Sequence, residues 1–134
     1  MKVLEAKFVK QFINLCFEGY QKGWHERNGG NLSYRIKKEE VESIKENFTY
    51  QEEREIGTIV KDLSNEYFLV TGSGCYLMNV KEYPEDNICI IKVNDDGTKY
   101  QICWGLKNGG KPTSELPSHL MNLEVIKRRS SNEK

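Results

Sequence analysis

Histidine is scarce in this sequence: His25 and His119 are the only two in 134 residues. They form neither a His-x-His pair nor a His-x-x-x-His spacing, and the four cysteines (Cys16, Cys75, Cys89, Cys103) form no Cys-x-x-Cys pair. Zinc takes three or four ligands from His, Cys, Asp or Glu. A metal site complete within these residues is therefore not expected. Net charge is also missing, since 20 Lys and Arg balance 20 Asp and Glu. That excludes the basic surface of a nucleic-acid binder and the acidic excess of a disordered chain. The one basic run, Lys127-Arg128-Arg129, is short and reads as charge at a helix C-terminus. No segment is apolar for long enough to span a membrane. The N-terminal stretch MKVLEAKFVKQF is interrupted by charge and does not read as a signal peptide. The expectation is a cytoplasmic, reduced protein with Cys16, Cys89 and Cys103 as buried thiols. There is no internal repeat.

What is present reads as one domain with a modest core. Residues near 3–22 form an amphipathic helix, with Val9, Ile13, Cys16 and Tyr20 at helical spacing and Phe8, Phe12 and Leu15 widening the stripe. Leu32, Tyr34 and Ile36 alternate with Ser33 and Arg35, as in a half-buried strand. Residues 37–64 are dense in Lys and Glu and predict a short exposed helix and an irregular excursion. Tyr67-Phe68-Leu69-Val70-Thr71 is a strand, and two more follow at 87–93 and 100–106. Asn94-Asp95-Asp96-Gly97 between those two is a hairpin signal. From 115 to 128, Leu116, Leu120, Leu123 and Ile126 are expected on one helical face, followed by a frayed tail from Ser130. The fold class expected is α/β: helices layered on both sides of a mainly antiparallel or mixed central sheet.

Three loops share one chemistry: Asn28-Gly29-Gly30-Asn31, Thr71-Gly72-Ser73-Gly74, and Thr113-Ser114 ahead of the last helix. Gly-rich turns present backbone N–H groups as nests for anions, and a helix N-terminus adds partial positive charge. Any one of the loops is equally an ordinary turn, and Thr113 or Ser114 equally a plain N-cap. Glu115 stands in a first helical turn, where a carboxylate often only complements the dipole. Beside a bound anion its pKa would rise toward that of a general base. Trp24 and Trp104 read as core or interface aromatics, and Arg27 and Arg35 as partners of surface acids.

These blocks resemble the zinc-dependent class II sugar-phosphate aldolases, most closely the rhamnulose-1-phosphate aldolase branch. The resemblance rests on Gly23-Trp24-His25-Glu26-Arg27-Asn28-Gly29-Gly30-Asn31-Leu32-Ser33, Val70-Thr71-Gly72-Ser73-Gly74, Trp104-Gly105-Leu106 and Pro112-Thr113-Ser114-Glu115-Leu116-Pro117-Ser118-His119. It implies reversible cleavage of L-rhamnulose 1-phosphate to dihydroxyacetone phosphate and L-lactaldehyde. It implies phosphate binding by Asn28, Gly30, Asn31, Ser73, Gly74, Thr113 and Ser114, and Glu115 as catalytic acid/base. It also implies Zn2+ as Lewis acid on the ketose oxygens, and a homo-oligomer, a tetramer in the family.

The family's zinc ligands are histidines that follow the last helix, so the resemblance covers an N-terminal half: one partial domain, 1–134, with 37–64 a variable excursion. The expectation is that the chain alone holds no zinc, is inactive, and exposes apolar surface that favours self-association. The alternative is a non-catalytic sugar-phosphate-binding module, or a subunit that needs a partner.

Overall fold

In the computed structural model of the protein, residues 2–21, 32–72, 80, 82–106, 110–113 and 116–132 are described. Helix α1 (Lys7–Gln21) follows a 3-10 turn at Val3–Glu5. Strand β1 (Ser33–Arg35) leads into α2 (Lys38–Ile44), and β2 (Arg54–Glu55) comes after an irregular stretch. Then come β3 (Tyr67–Thr71), the one-turn helix α3 (Pro84–Asn87), β4 (Ile88–Val93), β5 (Lys99–Gly105) and α4 (Leu116–Asn132).

The five strands make one sheet in the order β1-β3-β4-β5-β2. Every pairing in it is antiparallel, which decides between the antiparallel and mixed sheets that the sequence allows. Strand alternation explains how the sheet is buried on both faces. Leu69, Ile88 and Ile90 face a first cluster with Val9, Phe12 and Cys16 of α1 and Val41 and Ile44 of α2. Phe68, Val70, Cys89, Ile91 and Ile102 face a second cluster with Val60, Leu63, Leu116 and Leu120. The result is the layered α-β-α arrangement expected from the sequence. Cys103 is an extra residue in β5, because Ile90 pairs with Trp104 while Ile91 pairs with Ile102. This bulge puts Cys103 and the next residue, Trp104, on the same side against the first cluster, where simple alternation would separate them. Cys16, Cys89 and Cys103 are buried free thiols, as expected.

The hairpin between β4 and β5 forms at residues 94–97. The Asn94 side chain accepts the N–H groups of Thr98 (3.1 Å) and Lys99 (3.2 Å) across the turn, and Asp96 accepts the Thr98 N–H at 3.1 Å, an Asx turn. The excursion is better integrated than its composition suggests. It supplies edge strand β2, and Ile56, Val60 and Leu63 are buried in the core.

Helix α4 departs from the sequence expectation. Its inward face carries Leu116, Leu120, Leu123, Glu124 and Lys127, whereas Ile126 is 58% exposed and Met121 and Val125 are also exposed. The polar members are inward because they have partners there. A Glu124 carboxylate oxygen accepts the Asp62 N–H at 2.9 Å, and the Lys127 ammonium donates to the Asp62 carbonyl (2.6 Å) and to Glu66 (2.9 Å). Lys127 is thus not at the helix C-terminus, since α4 runs on to Asn132 and Ser130–Asn132 are helical rather than a frayed tail. Arg35 pairs with the surface acid Glu66 at 2.6 Å, as expected. Among the described residues, no helix is long and apolar enough to cross a membrane.

Candidate functional site

The site is built at one end of the sheet. Ser33 opposite Val70, Thr71 opposite Ile88, and Cys89 opposite Gly105 place the start of β1, the end of β3, the start of β4 and the end of β5 side by side. The three candidate loops leave from this end. Their flanks are fastened to one residue, Thr71. The Thr71 N–H donates to the Leu32 carbonyl at 3.1 Å, and the Leu32 N–H donates back to the Thr71 hydroxyl at 3.0 Å. The Thr113 N–H donates to the Thr71 carbonyl at 2.9 Å, and Gly72 bridges to Pro112. Leu32 directly follows Asn31, Gly72 directly precedes Ser73, and Thr113 directly precedes Ser114.

Burial marks the same place. Among the described residues, the buried polar side chains are Thr71, Thr113 and Glu124, and two of the three are at this junction. Burying a hydroxyl costs free energy unless it is hydrogen-bonded, and no buried side-chain nitrogen or oxygen among the described residues lacks a partner. The junction is therefore a satisfied polar core point rather than a solvated turn.

Two further residues brace it. Gly105 (φ +92°) and Leu106 (φ +48°) turn the chain sharply at the end of β5. A Cβ on Gly105 would lie 2.2 Å from the Ile88 carbonyl oxygen, so only glycine lets β5 approach β4 here. The turn lays the Leu106 side chain over Gly72, where a Cβ would meet Leu106 Cδ2 at 2.8 Å. Across the junction, Ser33 Oγ lies 2.8 Å from His119 Nδ1, linking β1 to the first turns of α4.

Of the residues expected to form the site, Thr113 is described. It is buried, with its N–H on Thr71, and its carbonyl accepts the Leu116 N–H at 3.0 Å as α4 begins. Asn28, Gly30, Asn31, Ser73, Gly74, Ser114 and Glu115 lie outside the described residues. What the structure brings together are their immediate neighbours in the chain. Thr71 as a hub, Leu106 as a brace and the Ser33–His119 link were not singled out from the sequence. A buried threonine closing an apolar strand was the available signal for the first. The described cavity that borders the junction, about 400 Å³, touches it through Gly105 and Leu106 and is otherwise walled by residues such as Asn47, Thr49 and Trp104. Among the described residues that line it there is no candidate site residue.

The family profile described as the Class II Aldolase and Adducin N-terminal domain matches residues 10–128. The chain belongs to this class II aldolase family. This class II aldolase chain is 43% identical over 134 residues to a rhamnulose-1-phosphate aldolase of Mannheimia succiniciproducens, across 98% of the chain and 48% of that protein. It is 42% identical over 118 residues to a rhamnulose-1-phosphate aldolase of Listeria welshimeri, across 88% of the chain and 42% of that protein. A crystal structure of a sugar-phosphate aldolase from Thermotoga maritima aligns with a TM-score of 0.72 at 29% identity, over 92% of this chain and 48% of that one. The class II aldolase chain thus spans less than half the length of these relatives.

Class II aldolases are generally zinc-dependent. Among the described residues, no group of three or more His, Cys, Asp or Glu side chains could hold a metal ion. His119, the histidine among them, has Nδ1 engaged with Ser33. The described residues therefore do not fit a zinc site.

Proposed function

We propose that this chain is the sugar-phosphate-binding part of a rhamnulose-1-phosphate aldolase. In the whole protein the reaction is reversible cleavage of L-rhamnulose 1-phosphate to dihydroxyacetone phosphate and L-lactaldehyde. The phosphate end would be held by Asn28, Gly30, Asn31, Ser73, Gly74, Thr113 and Ser114, through backbone N–H groups, amides and hydroxyls rather than through lysines. Glu115, next to that anion, would exchange protons with the substrate. The observation that carries this reading is the fastening of Leu32, Thr71-Gly72 and Pro112-Thr113 to each other, which supports three separate loops acting on one ligand. Flanks fastened in advance lower the ordering cost of binding. Sequence identity of 43% to a named rhamnulose-1-phosphate aldolase supports the choice of substrate. A homo-oligomer in the cytoplasm belongs to the same proposal.

The chain spans less than half the length of its rhamnulose-1-phosphate aldolase relatives, and we propose that the 134-residue chain by itself binds the product and does not turn the substrate over. Calorimetric titration with dihydroxyacetone phosphate, paired with an enzyme-coupled assay on L-rhamnulose 1-phosphate with added zinc, tests both halves. Binding without turnover is the expected result. Zinc-dependent release of dihydroxyacetone phosphate would refute the inactivity, and no heat of binding at millimolar ligand would refute the phosphate site.

A further inference from the structure

Thr71 links the first loop to the second and the second to the third, but it leaves the first and third loops joined only through itself. The Ser33–His119 contact closes that gap. Ser33 stands two residues after Asn31 and His119 four residues after Glu115. Alternation in β1 explains why they meet. Leu32 and Tyr34 pack on the cluster beneath α1 and α2, so Ser33 faces the opposite layer, where α4 lies. The two residues are 86 apart in sequence, and both are half-buried. Neither belongs to an apolar cluster, since the neighbouring Leu120 provides the anchoring of α4.

We infer that Ser33 and His119 are positioning residues: their contact holds the start of β1 in register with the first turn of α4, the two elements beside which the proposed phosphate-binding residues Asn31 and Thr113 stand in the chain. This rests on the sugar-phosphate reading above and extends it. Ser33 Oγ donates when Nδ1 is bare and accepts when Nδ1 carries the proton, so the link holds in either tautomer. A hydrogen bond partly shielded from water fixes a direction as well as a distance. Small displacements between two walls of a ligand site are costly to binding.

The test is titration of dihydroxyacetone phosphate into the 134-residue chain and into Ser33→Ala, His119→Phe, Ser33→Thr and His119→Asn variants, each with its thermal midpoint. Ser33→Ala and His119→Phe should each weaken binding about tenfold. Ser33→Thr and His119→Asn, which keep a hydrogen-bonding group in place, should recover to within about threefold of the parent. Lowered midpoints with affinities within about twofold of the parent would make the contact merely structural and overturn the inference. Ser33→Ala removes one atom and keeps the test decisive if His119→Phe does not fold. A parent chain that does not bind overturns the sugar-phosphate reading and this inference with it. A parent that binds beside indifferent variants overturns this inference alone.

Discussion

Replacing Thr71 by valine keeps the shape of a fully buried side chain and removes its hydroxyl. That hydroxyl accepts the Leu32 N–H at 3.0 Å and makes a weaker 3.4 Å contact to the Leu32 carbonyl. The two backbone bonds at the junction, Thr71 N–H to Leu32 and Thr113 N–H to Thr71, do not depend on it. The perturbation is therefore one orphaned donor, the Leu32 N–H. A fully buried unsatisfied donor costs about 1–3 kcal/mol. Leu32 is half-buried, which puts the loss nearer about 1–2 kcal/mol. For a chain of this size that lowers the thermal midpoint by about 4–8 °C. The sharper assay is local. Leu32 amide exchange should speed up by about tenfold or more, while amides of the β3–β4 ladder change only with the global stability. Dihydroxyacetone phosphate affinity should fall with the Leu32 protection, because the first loop is then tied to the second by one bond rather than two. Thr71→Ser keeps the hydroxyl and should restore both. A Thr71→Val protein with unchanged Leu32 exchange and unchanged affinity would refute the role given to this junction.

Gly105→Ala would drive a Cβ to 2.2 Å from the Ile88 carbonyl oxygen and 2.7 Å from Cys89 Cα, both on the backbone of β4. We expect a loss of about 3 kcal/mol or more. Gly57→Ala, with a similar φ but its nearest contact at 3.8 Å, should cost only the left-handed backbone penalty, about 1–2 kcal/mol; equal urea midpoints for the two variants would contradict the close-approach argument. Burial raises the Cys103 thiol from 9.0 to about 12 and raises Cys89 as well. Both folded-state pKa values lie above the unfolded ones, so their contribution to stability is complete below pH 9 and is lost as the pH climbs toward 12. Urea unfolding at a series of pH values should show stability falling from about pH 9 upward, with a shallower slope in Cys103→Ala.

Much of the scaffold is legible in the chain because its signals are local. The apolar run of β3, the hairpin signal at 94–97 and the spacing of Val9, Phe12 and Cys16 each encode a conformation within a few residues. Helix α4 shows where that reading stops. Periodicity placed Ile126 inward with Leu116, Leu120 and Leu123, yet Glu124 and Lys127 occupy that face and Ile126 is exposed. Their partners, Asp62 in the excursion and Glu66 just after it, stand about sixty residues earlier, and no short-range pattern carries that information. In the same way the polar density of 37–64 concealed the buried Ile56, Val60 and Leu63.

The candidate site divides along the same line. The sequence by itself determined the chemistry on offer: Gly, Asn, Ser and Thr in three candidate loops, a glutamate expected in a first helical turn, and a match to a class II aldolase profile over residues 10–128. Backbone freedom and side-chain chemistry are properties of the residues themselves, so they are readable wherever the residues stand. Only the tertiary structure decided that residues 32, 71 and 113 meet. That convergence comes from antiparallel pairing, which brings the start of β1 and the end of β3 to one edge of the sheet, and from a buried threonine whose polar groups must all find partners there.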